Sequence, residues 1–101
     1  MSAPPFALLY TAEARDVIEA LGTPAYAVKL KKIKKTLRIL RDLGPSHPGL
    51  NSHKYHSING PDGEEVWESY VENRTPGAWR IWWMYGPKPD TLTIITIGPH
   101  P

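Results

Sequence analysis

A chain of 101 residues with 41% hydrophobic content, four tryptophans and a net charge of +2 has the size of one domain and the means to fill one dense core. It contains no cysteine, which excludes disulfide staples and thiolate metal sites and fits a reducing compartment. No apolar run approaches the ~20 residues that span a bilayer, and the N-terminal Met1-Ser2-Ala3-Pro4-Pro5-Phe6 lacks the basic and apolar regions of a signal peptide, so a cytoplasmic protein with no membrane partner is expected.

No repeat or low-complexity linker divides the chain, and residues 1–101 read as a single domain. Phe6 to Tyr10, a short apolar run after two prolines, is predicted as the first strand. Thr11 can cap a helix whose apolar positions Ala14, Val17, Ile18 and Leu21 share one face. Gly22 stops it. Thr23-Pro24 signals a second start, and Tyr26, Leu30, Ile33, Leu37 and Leu40 form one stripe ending at Gly44-Pro45. The short joint between the helices predicts a helical hairpin.

Charge is segregated along these helices. Lys29, Lys31, Lys32, Lys34, Lys35, Arg38 and Arg41 place seven of the twelve basic residues in one segment that contains no acid, whereas the first helix carries Glu13, Asp16 and Glu19 against Arg15. Lys31, Lys32 and Lys35 are candidates for contact with a polyanion. A solvated helix face explains the same pattern.

From Pro45 to Gly63 the sequence is rich in Gly, Pro, Ser and His and reads as a loop, with a short extended piece near Tyr55. Its histidines His47, His53 and His56 have no carboxylate spaced to complete a metal site, so no metal is expected. Three strands follow, Val66 to Glu72, Trp79 to Tyr85 and Thr91 to Ile97, joined by hairpin-length turns as an antiparallel meander. The expected fold class is α+β in the order β-α-α-β-β-β, with the helices on one sheet face.

Alternation then sorts the strand residues. Trp79, Ile81 and Trp83 carry no charge and suit the core face, which leaves Arg80, Trp82 and Met84 on the open face, together with Glu68 and Tyr70 of the preceding strand. Guanidinium binds phosphate through parallel hydrogen bonds and aromatic rings stack on bases, so Arg80 with Tyr70 and Trp82 suits phosphate and base recognition. A plain Glu68–Arg80 salt bridge on a solvated sheet is the simpler alternative. On an open face the loss of Arg80 would create no core cavity.

Several strings, in order and spacing, resemble the RelE/ParE toxin superfamily of type II toxin–antitoxin systems. Leu9-Tyr10-Thr11-Ala12-Glu13-Ala14 resembles its first strand and helix, and Pro48-Gly49-Leu50 through His53-Lys54-Tyr55 its loop before the second strand. Val66-Trp67-Glu68-Ser69-Tyr70 with Ala78-Trp79-Arg80-Ile81-Trp82 is similar to its paired strands, and Ile94-Ile95-Thr96-Ile97-Gly98-Pro99-His100 to its last strand. The resemblance implies an endoribonuclease that cuts ribosome-bound mRNA without a metal or small-molecule cofactor. Arg80 would bind the scissile phosphate, His100 would act in acid–base chemistry, and Glu68 would serve as base or hold Arg80. It sets His53 and Lys54 on an RNA-facing rim and implies a cognate antitoxin as partner. Glu68 and Tyr70 stand where some members carry basic residues. A gyrase inhibitor of the ParE type, or a non-catalytic nucleic-acid-binding module, fits the same fold.

Overall fold

The computed structural model describes residues 3–101; Met1 and Ser2, where the stretch read as lacking a signal peptide begins, lie outside them. In chain order the elements are β1 (Ala7–Tyr10), α1 (Ala12–Ala20), α2 (Ala27–Asp42), β2 (His53–Asn59), β3 (Glu65–Tyr70), β4 (Trp79–Tyr85) and β5 (Thr91–Pro99). Short 3-10 turns at Pro24–Tyr26 and Pro48–Leu50 precede α2 and β2. Among the described residues no helix is long and apolar enough to cross a membrane.

Thr11 caps α1 as expected. Its Oγ1 accepts from the Ala14 N–H at 3.1 Å and donates to the Ile95 carbonyl at 2.6 Å, so the start of the helix is tied to β5. The second helix differs from expectation at its start. Thr23 makes no side-chain cap bond, Pro24–Tyr26 forms a 3-10 turn, and α2 itself begins at Ala27. The joint is therefore longer than the hairpin predicted. The helix ends where Gly44 takes φ +87° and its N–H returns to the Ile39 carbonyl at 3.0 Å.

The sheet has five strands in the order β1-β5-β4-β3-β2, with β1 parallel to β5 and the other pairs antiparallel. The α+β class holds, but the three-stranded meander becomes a four-stranded one. The added strand is β2, His53–Asn59, where a loop with only a short extended piece near Tyr55 was expected. Its sequence His-Lys-Tyr-His-Ser-Ile-Asn has no apolar alternation, and what extends it is pairing of His53, Lys54 and Tyr55 with Glu68, Trp67 and Val66.

Both helices cover one face. Ala14 of α1 and Ile33, Leu37 and Leu40 of α2 pack with Ile81, Trp83, Leu92, Ile94 and Ile97 in one core. Burying each large aliphatic or aromatic side chain contributes about 1.5–3 kcal/mol. Trp83 is fully buried, stacks on Trp67 at 5.8 Å, and donates its Nε1–H to Ser69 Oγ at 2.8 Å. Trp79 and Leu30, expected in this core, are partly buried at its margin.

The opposite face is less open than expected. Arg80, Trp82 and Met84 are buried at 8%, 6% and 6% exposure. β2 supplies part of the cover: Tyr55 lies 5.6 Å from Trp82, while Tyr70 packs on Arg80. At Gly60 a side chain would meet Met84 Sδ at 2.8 Å, so glycine lets the turn after β2 close over that methionine.

Candidate active site

The register of β3 against β4 sets Glu68 opposite Trp82 and Tyr70 opposite Arg80, so alternation brings Glu68, Tyr70 and Arg80 to one face as anticipated. Arg80 is held on several sides. Its Nε donates to Glu68 Oε1 at 3.0 Å, and its Nη1 donates to the carbonyls of Glu72 and Trp79. Its guanidinium carbon lies 3.6 Å from the Tyr70 ring centroid, a cation–π contact. Among the described residues Nη2 makes no hydrogen bond, which leaves it for a ligand. Across the sheet from Arg80 is Gly98, where an added Cβ would meet nothing within 4 Å. The ground beside the guanidinium is open.

Glu68 is the centre of the cluster. Its side chain is 2% exposed, and two histidines that are each 47% exposed flank it: His100 Nε2 lies 3.7 Å from Oε1 and His53 Nε2 lies 3.6 Å from Oε2. Oε2 is buried and accepts no hydrogen bond. A simple salt bridge with Arg80 does form, but a solvated sheet does not bury its carboxylate between two histidines. His53 arrives through strand pairing, directly opposite Glu68. His100 arrives because β5 runs to Pro99 and the next N–H donates to the Ala78 carbonyl at 2.8 Å.

The two histidines differ in one respect. His53 Nδ1 is 2.8 Å from the Asn51 carbonyl oxygen, which can only accept, so Nδ1 carries the hydrogen. In the neutral ring the lone pair is then on Nε2, the atom beside Glu68. That is the arrangement of a base whose conjugate acid a carboxylate stabilises.

The remaining candidates divide. Tyr70 belongs to the cluster, as the Arg80 stack and as an edge-on neighbour of His53 at 5.9 Å. Trp82 is covered by Tyr55, with its Nε1 buried and without a partner, so its ring offers little surface for stacking a base. Lys54 is opposite Trp67, one residue out of phase with His53. Its Nζ lies 5.7 Å from the Trp67 ring and pairs with Glu65 at 3.2 Å, away from Arg80, so the rim pairing with His53 does not form. On α2, Lys31 and Lys35 are exposed, while Lys32 bonds to Glu72 at 3.2 Å.

Glu72 escaped the sequence reading. It accepts from Lys29 at 2.6 Å and also from the Trp79 N–H, so the segment without an acid in sequence meets one in space. The Lys29 hydrogen bond, aided by those from the Trp79 N–H and Lys32, outweighs desolvation and holds the Glu72 carboxyl at about 2, below its ordinary 4.5. Among the described residues no three His, Cys, Asp or Glu side chains are arranged to hold a metal ion.

No family model and no curated protein sequence matches the chain. Solved structures do. The chain is similar to a YoeB dimer from Staphylococcus aureus, with TM-score 0.67 and 12% identity over 96% of this chain and 99% of that one. It is similar to an archaeal RelE–RelB complex from Pyrococcus horikoshii OT3, with TM-score 0.64 and 9% identity over 94% of each chain. The DinJ–YafQ toxin–antitoxin complex of E. coli gives TM-score 0.63 and 15% identity over 95% and 93%.

Proposed function

We propose, from the premise that this chain has the fold of the RelE/ParE toxin superfamily, that it is an endoribonuclease toxin cutting mRNA on the ribosome. The observation that carries the reading is the buried Glu68 carboxylate, bonded to Arg80 and flanked by two half-exposed histidines beside the open ground over Gly98.

The chemistry that suits this cluster is attack of a ribose 2′-OH on the adjacent phosphorus. His53 Nε2 takes the hydroxyl proton, the new P–O2′ bond forms, and negative charge grows on the phosphoryl oxygens. Arg80 faces that charge with Nη2. The P–O5′ bond breaks, and His100 gives its proton to the leaving 5′-oxygen. The products are a 2′,3′-cyclic phosphate and a 5′-hydroxyl. Glu68 is too buried to reach the hydroxyl. It orients Arg80 and stabilises the imidazolium formed at His53. The exposed lysines of α2, Lys31 and Lys35 among them, supply an attractive surface for RNA. A cognate antitoxin is the expected protein partner, since the similar RelE and YafQ chains are found in complexes with RelB and DinJ.

The test is primer extension on mRNA from cells expressing the chain. Wild type should produce discrete cleavage ends. His53→Gln and His100→Gln should each slow cutting by about 10²–10⁴. Arg80→Lys, which keeps a charge against Glu68 and loses the planar fork, should slow it by about 10²–10³. Growth arrest with collapsed DNA supercoiling and no cleavage ends would overturn the nuclease in favour of a gyrase inhibitor.

A further inference from the structure

Glu72 is outside the histidine cluster, yet it is bound to the backbone that holds Arg80. The N–H groups of Val71 and Glu72 both donate to the Trp79 carbonyl at 3.1 Å, two residues facing one, which is a β-bulge at the end of β3. The bulge brings the Glu72 carbonyl to Arg80 Nη1, which also donates to the Trp79 carbonyl at 3.2 Å. The Glu72 carboxylate meanwhile reaches α2. Oε1 accepts from Lys29 at 2.6 Å and from the Trp79 N–H at 3.1 Å, and Oε2 accepts from Lys32 at 3.2 Å. Lys29 Nζ also lies 5.1 Å from the Trp79 ring. One residue thus joins the basic helix to the strand pair on which the guanidinium sits.

We propose that Glu72 is a positioning residue for Arg80: its carboxylate, anchored by Lys29 and Lys32, fixes the bulge whose carbonyls orient the guanidinium and present Nη2 to a phosphate. Its part in turnover rests on the reading of Arg80 as the group that binds the scissile phosphate. Nε is fixed by Glu68, so the guanidinium's orientation depends on what holds Nη1. Releasing the bulge carbonyl lets the plane turn and moves Nη2. Displacements of about 1 Å at a reacting group can cost about 10²-fold in rate. Two α2 lysines then serve the site through Glu72, a different task from contacting RNA.

The experiment compares full-length wild type, Glu72→Gln and Glu72→Ala by two readouts. The first is the set of Arg80 Nη–H resonances in ¹⁵N NMR at low temperature and their exchange rate with water, which report the guanidinium without any assumption about activity. The second is cutting of ribosome-bound mRNA in a reconstituted translation mixture, per mole of folded protein. In Glu72→Ala the Arg80 Nη1–H protons should exchange at least tenfold faster, and kcat should fall by about 10–10² with KM within twofold of wild type. Glu72→Gln keeps one neutral acceptor oxygen for the Trp79 N–H and Lys29, loses the acceptor for Lys32, and should fall between. If Glu72→Ala does not fold, Lys29→Gln takes its place. An Arg80 signal unchanged in a folded variant overturns the proposal, whatever the activity does. A signal that responds in a chain that cuts no RNA upholds the positioning and removes the nuclease reading.

Discussion

Replacing Arg80 with alanine is a more severe change than strand alternation suggests. On a solvated sheet face its loss would leave the fold untouched, but Arg80 is 8% exposed and its partner Glu68 is 1% exposed. Arg80→Ala takes away the cation bonded to Oε1 and leaves a carboxylate with two histidines at 3.6 and 3.7 Å that are charged only when protonated. Removing one member of a buried pair costs about 3–5 kcal/mol, because the remaining charge is uncompensated in a medium that solvates it poorly. The lost stack on Tyr70 adds to this. A domain of this length has about 5–15 kcal/mol in all, so the loss is a large share of the total, with a urea midpoint lower by about 2 M. The double variant Arg80→Ala/Glu68→Gln removes the charge as well and should recover at least half of the loss. Equilibrium urea denaturation of the wild type, both single variants and the double variant measures the coupling. If Arg80→Ala stays within about 0.5 kcal/mol of wild type, the pair behaves as a surface salt bridge and the burial argument fails.

Trp83→Ala should cost about 3–5 kcal/mol by the cavity it leaves in the core, with Ser69 Oγ losing its indole donor; a thermal scan with no loss would refute the assignment of the core face. The Glu72 carboxyl has a depressed folded value, about 2 against 4.5, so its contribution to stability is complete above about 4.5 and is lost as pH falls through about 2. Thermal melts of wild type and Glu72→Gln from neutral pH down to pH 2 should therefore converge toward the acid end, and parallel curves would contradict the ion pair. With Lys29 and Lys32 engaged by Glu72, Lys31, Lys34 and Lys35 remain for phosphate contact on that stretch of α2. Three contacts to single-stranded RNA predict that ribosome affinity falls about twentyfold between 50 and 200 mM salt, from a slope near −0.7 per contact. Neutralising those three lysines should flatten the slope, and an unchanged slope would return them to a solvated face.

The apolar periodicity of α2, the Thr11 cap and the uncharged alternation of Ile81 and Trp83 are local properties, and the sequence determined them: side chains at helical or strand spacing must share a face whatever surrounds them. For the same reason Glu68, Tyr70 and Arg80 could be assigned to one face before any coordinates. Tertiary structure decided the rest. β2 has no hydrophobic pattern of its own and is extended because β3 offers it a partner, so the position of His53 against Glu68 could not be read from a polar loop. The same pairing turned Lys54 away, since a strand sends neighbours to opposite faces. Glu72 meets Lys29 across 43 positions of sequence, a contact set by how α2 crosses the sheet. The burial of Arg80 and Glu68 depends on side chains from β2, β3 and the end of β5 closing over one face. Alternation says which side a residue takes, and only packing says whether that side meets water.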